Sequence, residues 1–452
     1  MMTENYNPYS QMLTAFDNQR IFGRDEEISA VLRSVTGNIA STIGLYGLKT
    51  IGKTSLLKLL CHPETLEQYK STIRASGRRG HGGPTDFDFV YIDLYHVSGA
   101  DVVPTIYEVL KLYVAPQPTM SEQNEEAVRR ELTRICQETA YEKRRIIICL
   151  DHFDRAFKDM PDQDDKTLRH LTNFHSFVVA TEKRLEDLRP RSLFMNVTTS
   201  KIIGLISHED AHTLILSPLQ PNQSERFNAD DAEEIVRMAG RQPYLLTVAC
   251  EFLFGMKPRF PDGLKKLQAE QSESYKRLAI DMTGMVDVDT TLTHFWNELT
   301  PRSQTILSEI ARSGKKRYGL KDYNRPDLFL SVELAVLKNF ALVVEDLLTQ
   351  TYELFSQQFW LHILRHTISD TSKLNENQEQ LTRLERAVLS FLQERSNQVC
   401  GYSEVIASVW PQGNGSSRAL QSAIYRIQAK LEESKIENVY GQGYRYVSDK
   451  TA

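Results

Sequence analysis

The sequence predicts an α/β P-loop NTPase fold with a parallel sheet, followed by a helical lid, a first winged helix and a C-terminal winged helix-turn-helix. Three observations predict this fold. A glycine-rich loop at 47–54 lies between an apolar run and a helical run. Apolar runs of strand length alternate with helix-favouring stretches as far as about residue 220. Residues 381–450 combine an apolar helical stripe with a glycine-containing hairpin.

The bulk composition is that of a multidomain globular protein. With 452 residues, and roughly 150 residues in a typical domain, the chain should contain about three folding units. Hydrophobic residues make up 41% of the chain and charged residues 25%. The formal charge of −5 argues against a chain built wholly to coat nucleic acid or an anionic membrane. It leaves room for one small basic module.

The cysteines and the N-terminal residues predict a cytoplasmic protein. The five cysteines are scattered and form no Cys-x-x-Cys pair, which is typical of reduced core residues. The first residues contain no apolar signal segment. No run approaches the roughly 20 apolar residues that span a bilayer. We therefore expect no membrane anchor.

Five short apolar runs predict the strands of the sheet. They are 41–46, 89–94, 145–151, 192–198 and 213–216. Strands that alternate with helices form a parallel sheet covered on both faces.

After about residue 220 the strand pattern gives way to helices and short β pieces, and a polar stretch precedes the last unit. The predicted domains are 1–220 for the nucleotide-binding domain with its N-terminal entry segment, 221–285 for the lid, 286–370 for the first winged helix, 371–380 for a linker and 381–452 for the C-terminal winged helix.

The glycine-rich loop predicts a site for ATP or ADP. Its glycines allow backbone N–H groups to face phosphates. Lys53 is expected to contact the β and γ phosphates, and Thr54 to place its hydroxyl on Mg²⁺. The predicted cofactor-binding residues of the loop are Gly47, Lys49, Gly52, Lys53, Thr54 and Ser55.

The strand 145–151 supplies the predicted catalytic carboxylate. Asp151, at its end, is expected to hold Mg²⁺. His152 follows where many P-loop ATPases have an acid, and a neutral imidazole is a poorer base in that geometry. Asp154 is the candidate substitute, and we predict slow hydrolysis and a nucleotide-held switch. A group that senses the γ-phosphate is expected at 196–200, although an ordinary strand end explains those residues equally well.

One metal-binding pattern does not fit its predicted surroundings. Residues 208–212 have the His-Glu-x-x-His spacing of zinc proteases, which need it within a stable helix. Here the pattern is predicted to lie in a short exposed loop between two strands, and no third ligand is evident. A metalloprotease is therefore the least favoured function, and chelator-sensitive cleavage of casein would reveal it.

Several motifs follow one another in an order that resembles the STAND ATPases, signal-transduction ATPases with numerous domains. The motifs are Ile21-Phe22-Gly23-Arg24-Asp25-Glu26, Leu150-Asp151-His152-Phe153-Asp154, Leu216-Ser217-Pro218-Leu219 and Ala239-Gly240-Arg241-Gln242-Pro243. The resemblance covers about 7–370 and includes the winged helix that closes this ATPase module. Archaeal replication-initiator ATPases share the Gly-Arg-acid box and a winged helix, and they remain an alternative.

The STAND resemblance implies the remaining cofactor contacts. Phe22, Gly23 and Arg24 would border the adenine, and Pro243 would close over the nucleotide from the lid. The family often has His where this chain has Gln242. The resemblance also implies a closed form that holds ADP, exchange for ATP on a signal, and self-association.

The segments Leu381–Leu389, Ser403–Trp410, Arg418–Leu431 and Ile436–Tyr446 give the C-terminal unit its family likeness. They resemble the DNA-binding effector domain of OmpR/PhoB-type response regulators. The resemblance implies a recognition helix in the major groove of double-stranded DNA and a wing at the backbone or minor groove. The predicted DNA-binding residues are Arg418, Gln421, Ser422, Tyr425, Arg426 and Arg445.

Two features favour a protein-docking or dimerising role for the same unit. Gln428 and Tyr440 stand where the family usually has arginine. From residue 381 onward, nine basic residues face seven acidic ones, a small surplus for a domain that neutralises several phosphates. The leading hypothesis is an ATP/ADP-switched transcription regulator. The alternative is a conflict or anti-phage sensor whose winged helix docks a protein trigger or effector.

Overall fold

The computed structural model describes most of the chain, which divides into two compact units, Met1–Ile363 and Leu364–Ala452. The described residues are 7–14, 21–37, 39–65, 67, 71, 86–114, 124–219, 227–256, 262–270, 273–313, 318–319, 330–346, 349, 351–365, 383–409, 420–421, 423–424, 427, 436–439 and 443–447. The predicted linker 371–380 lies outside them. None of the helices in these described ranges is long and apolar enough to cross a membrane.

A five-stranded parallel sheet forms the centre of the first unit. Its strands are β1 (Thr42–Tyr46), β2 (Asp86–Asp93), β3 (Arg144–Asp151), β4 (Ser176–Thr181) and β5 (Thr198–Ile202). They lie in the order β2-β3-β4-β1-β5, and every adjacent pair is parallel. The predicted α/β fold with a parallel sheet is confirmed.

Helices cover both faces of this sheet. They are Asp25–Val35, Lys53–Leu60, Val102–Val114, Glu125–Tyr141, Phe153–Lys158, Asp162–Leu171 and Leu185–Leu188. Along β3, Ile146 and Ile148 belong to one buried core cluster, whereas Ile147 and Cys149 belong to another. This alternation explains why β3 is a continuous apolar run rather than an amphipathic strand.

The fourth and fifth strands differ from the prediction. The strand β4 (Ser176–Thr181) was not predicted from the sequence, and β5 begins only at Thr198. Residues 192–197, predicted as part of a strand, form a turn and the short 3-10 helix Met195–Val197 instead. The carboxylate of Asp165 accepts hydrogen bonds from the backbone N–H groups of Leu193 and Phe194. Those groups are therefore not available to a strand ladder.

The segment predicted as strand 213–216 is helical. The helix His208–Leu216, here called the motif helix, contains the whole His-Glu-x-x-His pattern, so the loop prediction was also wrong. Ser207 caps the helix by accepting a hydrogen bond from the N–H of Asp210 at 3.0 Å. Ala211, Leu214 and Ile215 form its buried side.

Four helices after the motif helix form the lid. They are Ala229–Ala239 (the first lid helix), Pro243–Met256 (the second lid helix), Leu264–Ala269 and Glu273–Thr283. The entry helix Pro8–Thr14 packs on the second lid helix. Asn7 Nδ2 donates to Glu251 O at 2.9 Å, and the buried ring of Tyr9 lies against Phe254. The entry segment thus packs on the lid.

The first winged helix completes this unit. Its helices are Val286–Asn297, Pro301–Arg312, Leu330–Asn339 and 357–365. Its strands are β6 (Tyr318–Gly319), β7 (Val343–Asp346) and β8 (Thr351–Leu354), paired antiparallel in the order β6-β8-β7.

The C-terminal unit contains the second winged-helix fold. Its helices include Arg383–Glu394 and Tyr402–Val409, and its strands are β9 (Val399–Gly401), β10 (Ile436–Val439) and β11 (Gly443–Tyr446). The sheet order is β10-β11-β9. Gly443 has φ 152°, and a Cβ there would lie 1.9 Å from Cys400 O, so only glycine fits this crossing of the strands.

Candidate nucleotide-binding site

The glycine-rich loop follows β1 and leads into the helix Lys53–Leu60, here called the P-loop helix. At Gly47 the backbone passes close to the residue after β5, and a Cβ would lie 2.4 Å from Ile203 O. Gly52 has φ 103° and precedes the P-loop helix. Two glycines are therefore required to bring the loop's N–H groups to the helix N-terminus, where anions bind.

Lys53 lies inside the loop rather than in solvent. Its Nζ donates to Gly47 O and to Leu48 O, both at 2.9 Å. Burial lowers the pKa of Lys53, and the nearby carboxylates of Glu182, Asp154 and Asp151 oppose that shift. A desolvated ammonium beside the loop's amides can bind a polyphosphate more strongly than an exposed one.

Asp151 is buried at the end of β3. The residue is only 1% exposed, and its Oδ2 accepts a hydrogen bond from Tyr91 Oη at 2.9 Å. Its Oδ1 accepts from the N–H of His152 at 3.0 Å. The hydroxyl of Thr54 and this carboxylate are hard oxygen ligands of the type that Mg²⁺ prefers, so the residues fit a nucleotide-bound Mg²⁺.

His152 and Asp154 have distinct surroundings. His152 has φ 54°, and its Nδ1 lies 2.9 Å from Asp93 Oδ1. Asp154 Oδ1 accepts from the N–H groups of Glu182 at 2.7 Å and Lys183 at 3.3 Å, and burial raises the pKa of Asp154. The Asp154 carboxylate therefore anchors the chain after β4. Its catalytic role stays a prediction.

The predicted γ-phosphate sensor is at the wrong end of the sheet. β5 is parallel to β1, and Thr198 pairs with Thr42, whereas Ile202 pairs with Tyr46 beside the loop. Residues 196–200 thus extend from the far end of β5. At about 3.3 Å per residue, the start of β5 is roughly 13 Å from the loop end.

The polar groups at the loop end of the sheet come from β4 instead. Thr181 pairs with Tyr46, and its buried Oγ1 has no hydrogen-bond partner among the residues that the structure describes. Burial alone would raise the pKa of Glu182. The hydrogen bond from His294 and the charges of His294 and Lys53 outweigh the effect of burial, so the pKa of Glu182 is lowered. These residues were missed because β4 was missed.

The segment after β4 contacts the first winged helix. His294 Nε2 lies 2.8 Å from Glu182 Oε2, and Lys183 Nζ lies 2.7 Å from Glu298 Oε2. Glu182 thus pairs with a side chain of the winged helix, and its charge also acts on the ammonium of Lys53.

Arg24 supports the loop from behind. The residue is 2% exposed, and its guanidinium donates through Nη2 to Ile51 O at 3.0 Å and Gly204 O at 2.7 Å. Gly23, with φ 64°, packs against Asp210 of the motif helix. These contacts assign Arg24 a positioning role, and the predicted adenine contacts of Phe22, Gly23 and Arg24 stay predictions.

The lid contacts the loop directly. Gln242 Nε2 donates to Thr50 Oγ1 at 2.9 Å, and Gln242 Oε1 accepts from the N–H of Leu245 at 2.6 Å. Gln242 is buried and precedes Pro243, the first residue of the second lid helix. Gln242, rather than the predicted Pro243, thus makes the contact between the lid and the loop.

Three of the predicted cofactor-binding residues of the loop have access to solvent. Lys49 and Ser55 are exposed and Thr54 is half-buried.

The structure describes two of the six predicted DNA-binding residues. Gln421 is exposed, and Arg445 Nη2 lies 2.6 Å from Glu437 Oε2 on the neighbouring strand. The predictions for Arg418, Ser422, Tyr425 and Arg426 lie outside the described residues.

Comparison with known families supports the winged-helix assignment of the second unit. Residues 376–446 match the family model described as "Transcriptional regulatory protein, C terminal". No curated protein matches the chain in sequence. The match agrees with the resemblance that the sequence motifs carry.

Solved structures similar to this chain include three archaeal proteins. The Walker-type ATPase of Pyrococcus abyssi is 15% identical, with a TM-score of 0.45, and the match covers 76% of this chain and 96% of that one. The ORC2 protein of Aeropyrum pernix in its ADPNP-ADP complexes is 15% identical, with a TM-score of 0.42, and covers 78% and 98%. The ORC1 protein of Aeropyrum pernix in complex with DNA is 15% identical, with a TM-score of 0.39, and covers 81% and 98%.

Proposed function

We propose that this protein is an ATP/ADP-switched regulator that binds double-stranded DNA through its C-terminal winged helix and controls transcription in the cytoplasm. The observation that carries the nucleotide switch is the contact of Gln242 with Thr50, because it connects the phosphate-binding loop to the lid. The pair of Glu182 with His294 adds a connection to the first winged helix. The DNA target follows from the family match of residues 376–446.

In this proposal ATP or ADP binds with Mg²⁺ at Lys53, Thr54 and Asp151. Mg²⁺ supplies charge neutralisation to the phosphates. Hydrolysis is slow, because the residue after Asp151 is an imidazole bonded to Asp93 rather than a free carboxylate. Turnover at tens of molecules per second in the isolated protein would contradict this point.

Exchange of ADP for ATP adds a γ-phosphate near Glu182 and Thr50. Each of these residues has a partner outside the sheet, so the lid and the first winged helix respond together. Self-association of the ATP form follows by the STAND resemblance. A mass distribution measured with ADP and with a non-hydrolysable ATP analogue tests that part separately.

The deciding experiment measures binding of the full chain to a random-sequence duplex pool, with ADP and with the ATP analogue. We expect a selected sequence whose affinity differs between the two nucleotides and falls steeply with salt. Lys53→Ala should remove nucleotide binding and the difference between nucleotides, because it removes the ammonium that lies within the loop. Lys166→Ala, an exposed lysine of the same domain, is the matched control. Nucleotide affinity that survived Lys53→Ala would refute the site.

A second candidate function is supported by the C-terminal sheet. Arg445, a predicted DNA contact, is paired with Glu437 at 2.6 Å, which reduces the charge it offers to a phosphate. This pairing favours docking of a partner protein over DNA, the arrangement that a conflict sensor would use. Arg418→Ala combined with Arg426→Ala separates the two functions. Lost DNA affinity supports the regulator, and unchanged DNA affinity supports protein docking.

A further inference from the structure

The motif helix places two histidines on one exposed face. His208 and His212 are four residues apart, so their side chains lie one turn apart on the same side of the helix. Their ring centroids are 4.7 Å apart and the rings are inclined by 31°. The spacing is therefore that of a two-histidine metal site on a stable helix.

A third ligand comes from the first lid helix. Glu233 Oε2 lies 3.0 Å from His208 Nε2 and 3.2 Å from His212 Nε2. One ligand atom from each residue lies within 4.8 Å of the others. Ligands at about 2.0–2.1 Å from a tetrahedral ion are about 3.3 Å apart. The carboxylate oxygen of Glu233 is therefore already close to the required separation from each imidazole nitrogen.

We propose that His208, His212 and Glu233 form a binding site for a divalent transition-metal ion of the Zn²⁺ class. Two imidazole nitrogens and one carboxylate oxygen suit Zn²⁺, whereas Mg²⁺ prefers oxygen ligands alone. Lys265, whose charge acts on Glu233, is paired with Asp230 at 2.6 Å. Its positive charge is therefore balanced locally.

The ion fastens the motif helix to the first lid helix. The chain before the motif helix is already bonded to the lid, because the N–H of Ile206 donates to Arg241 O at 3.2 Å and Arg241 Nη1 donates to Ile206 O at 3.0 Å. Asp210, on the motif helix, packs against Gly23 beside the nucleotide loop. A metal cross-link would thus stiffen the attachment of the lid to the helix that packs on Gly23. The site requires neither DNA binding nor nucleotide binding.

The test titrates Co²⁺ into the full-length, chelator-treated protein without nucleotide or Mg²⁺, and then displaces Co²⁺ with Zn²⁺. We expect about one ion per chain and the visible absorption of a tetrahedral Co²⁺ site. Saturating Zn²⁺ should also raise the thermal unfolding midpoint by several degrees, reversibly with chelator. The variants are His208→Ala, His212→Ala and Glu233→Gln, all at positions with solvent access.

The matched control is His170→Ala, which removes an exposed histidine outside the cluster. The proposal is supported if each cluster variant loses the tetrahedral absorption and the thermal shift while the control keeps both. Glu233→Gln removes the negative charge of the proposed ligand but keeps the size of its side chain. Equal Co²⁺ binding by wild type and by His208→Ala combined with His212→Ala would overturn the site, and so would the absence of saturable binding in wild type.

Discussion

The hydrogen bond from Gln242 to Thr50 should slow the release of ADP. A neutral hydrogen bond contributes about 0.5–1.5 kcal/mol net, which corresponds to about a 2- to 13-fold change in an equilibrium. Thr50→Ala removes the acceptor, whereas Thr50→Ser keeps the hydroxyl at the same backbone position, where φ is 60°. If the lid must leave the loop before ADP leaves, Thr50→Ala should release ADP about 2- to 13-fold faster and Thr50→Ser should not.

The assay is stopped-flow release of a fluorescent ADP analogue, completed as a double-mutant cycle with Gln242→Ala. Gln242 also accepts a hydrogen bond from the N–H of Leu245 at 2.6 Å, so its single variant has a second effect on the lid helix. The cycle isolates the contact with Thr50. Strictly additive effects of the two substitutions would refute the coupling between lid and loop.

Three other perturbations test neighbouring parts of the first unit. Glu182→Gln should speed amide exchange in the helix that carries His294, because it removes the charged partner at 2.8 Å; unchanged exchange would contradict the contact. Gly47→Ala should abolish nucleotide binding, since its Cβ would meet a carbonyl at 2.4 Å, and Gly204→Ala, with open space, is the control in the same binding assay. Burial lowers the pKa of His175 from 6.5 to about 4, so stability present above pH 6.5 is lost as pH falls towards 4. The loss is about 3 kcal/mol in urea unfolding, and an equal slope in His175→Gln would exclude this origin.

The sequence predicted the features that depend on local chemistry. The loop between β1 and the P-loop helix needs glycines and a lysine in fixed order, and β3 is an uninterrupted apolar run. The α/β fold with its parallel sheet and the C-terminal winged helix could therefore be predicted, and the roles of Lys53 and Asp151 at the site stay predictions. Such motifs are specific because each residue type serves a separate requirement of phosphate and metal binding.

The two wrong strands show where local pattern was insufficient. Leu193 and Phe194 are apolar, but Asp165 binds their amides, and that acid is distant in sequence. The motif helix had a local signal in Ser207 followed by Asp210, which is the pattern of an N-cap. The strand 213–216 was predicted because the apolar run at the end of this helix was given more weight than the N-cap pattern at its start.

The site contacts that sequence reasoning missed are all between distant segments. Gln242 and Thr50 are separated by 192 positions, and Glu182 and His294 by 112. Hydrophobic periodicity cannot predict such pairs. The residues are polar, and each of them could face solvent without disturbing the pattern of apolar residues. The third ligand of the metal cluster, Glu233, was missed for the same reason.

The turn between the first two lid helices contacts two structures at once. Gly240 has φ 77°, and a Cβ there would lie 2.6 Å from Phe355, which follows β8 of the first winged helix. Gln242, two residues later, holds the phosphate loop. Genetic screens for constitutive signalling and screens for weakened nucleotide retention should therefore converge on this short turn. A substitution that gave only one of the two phenotypes would be the exception.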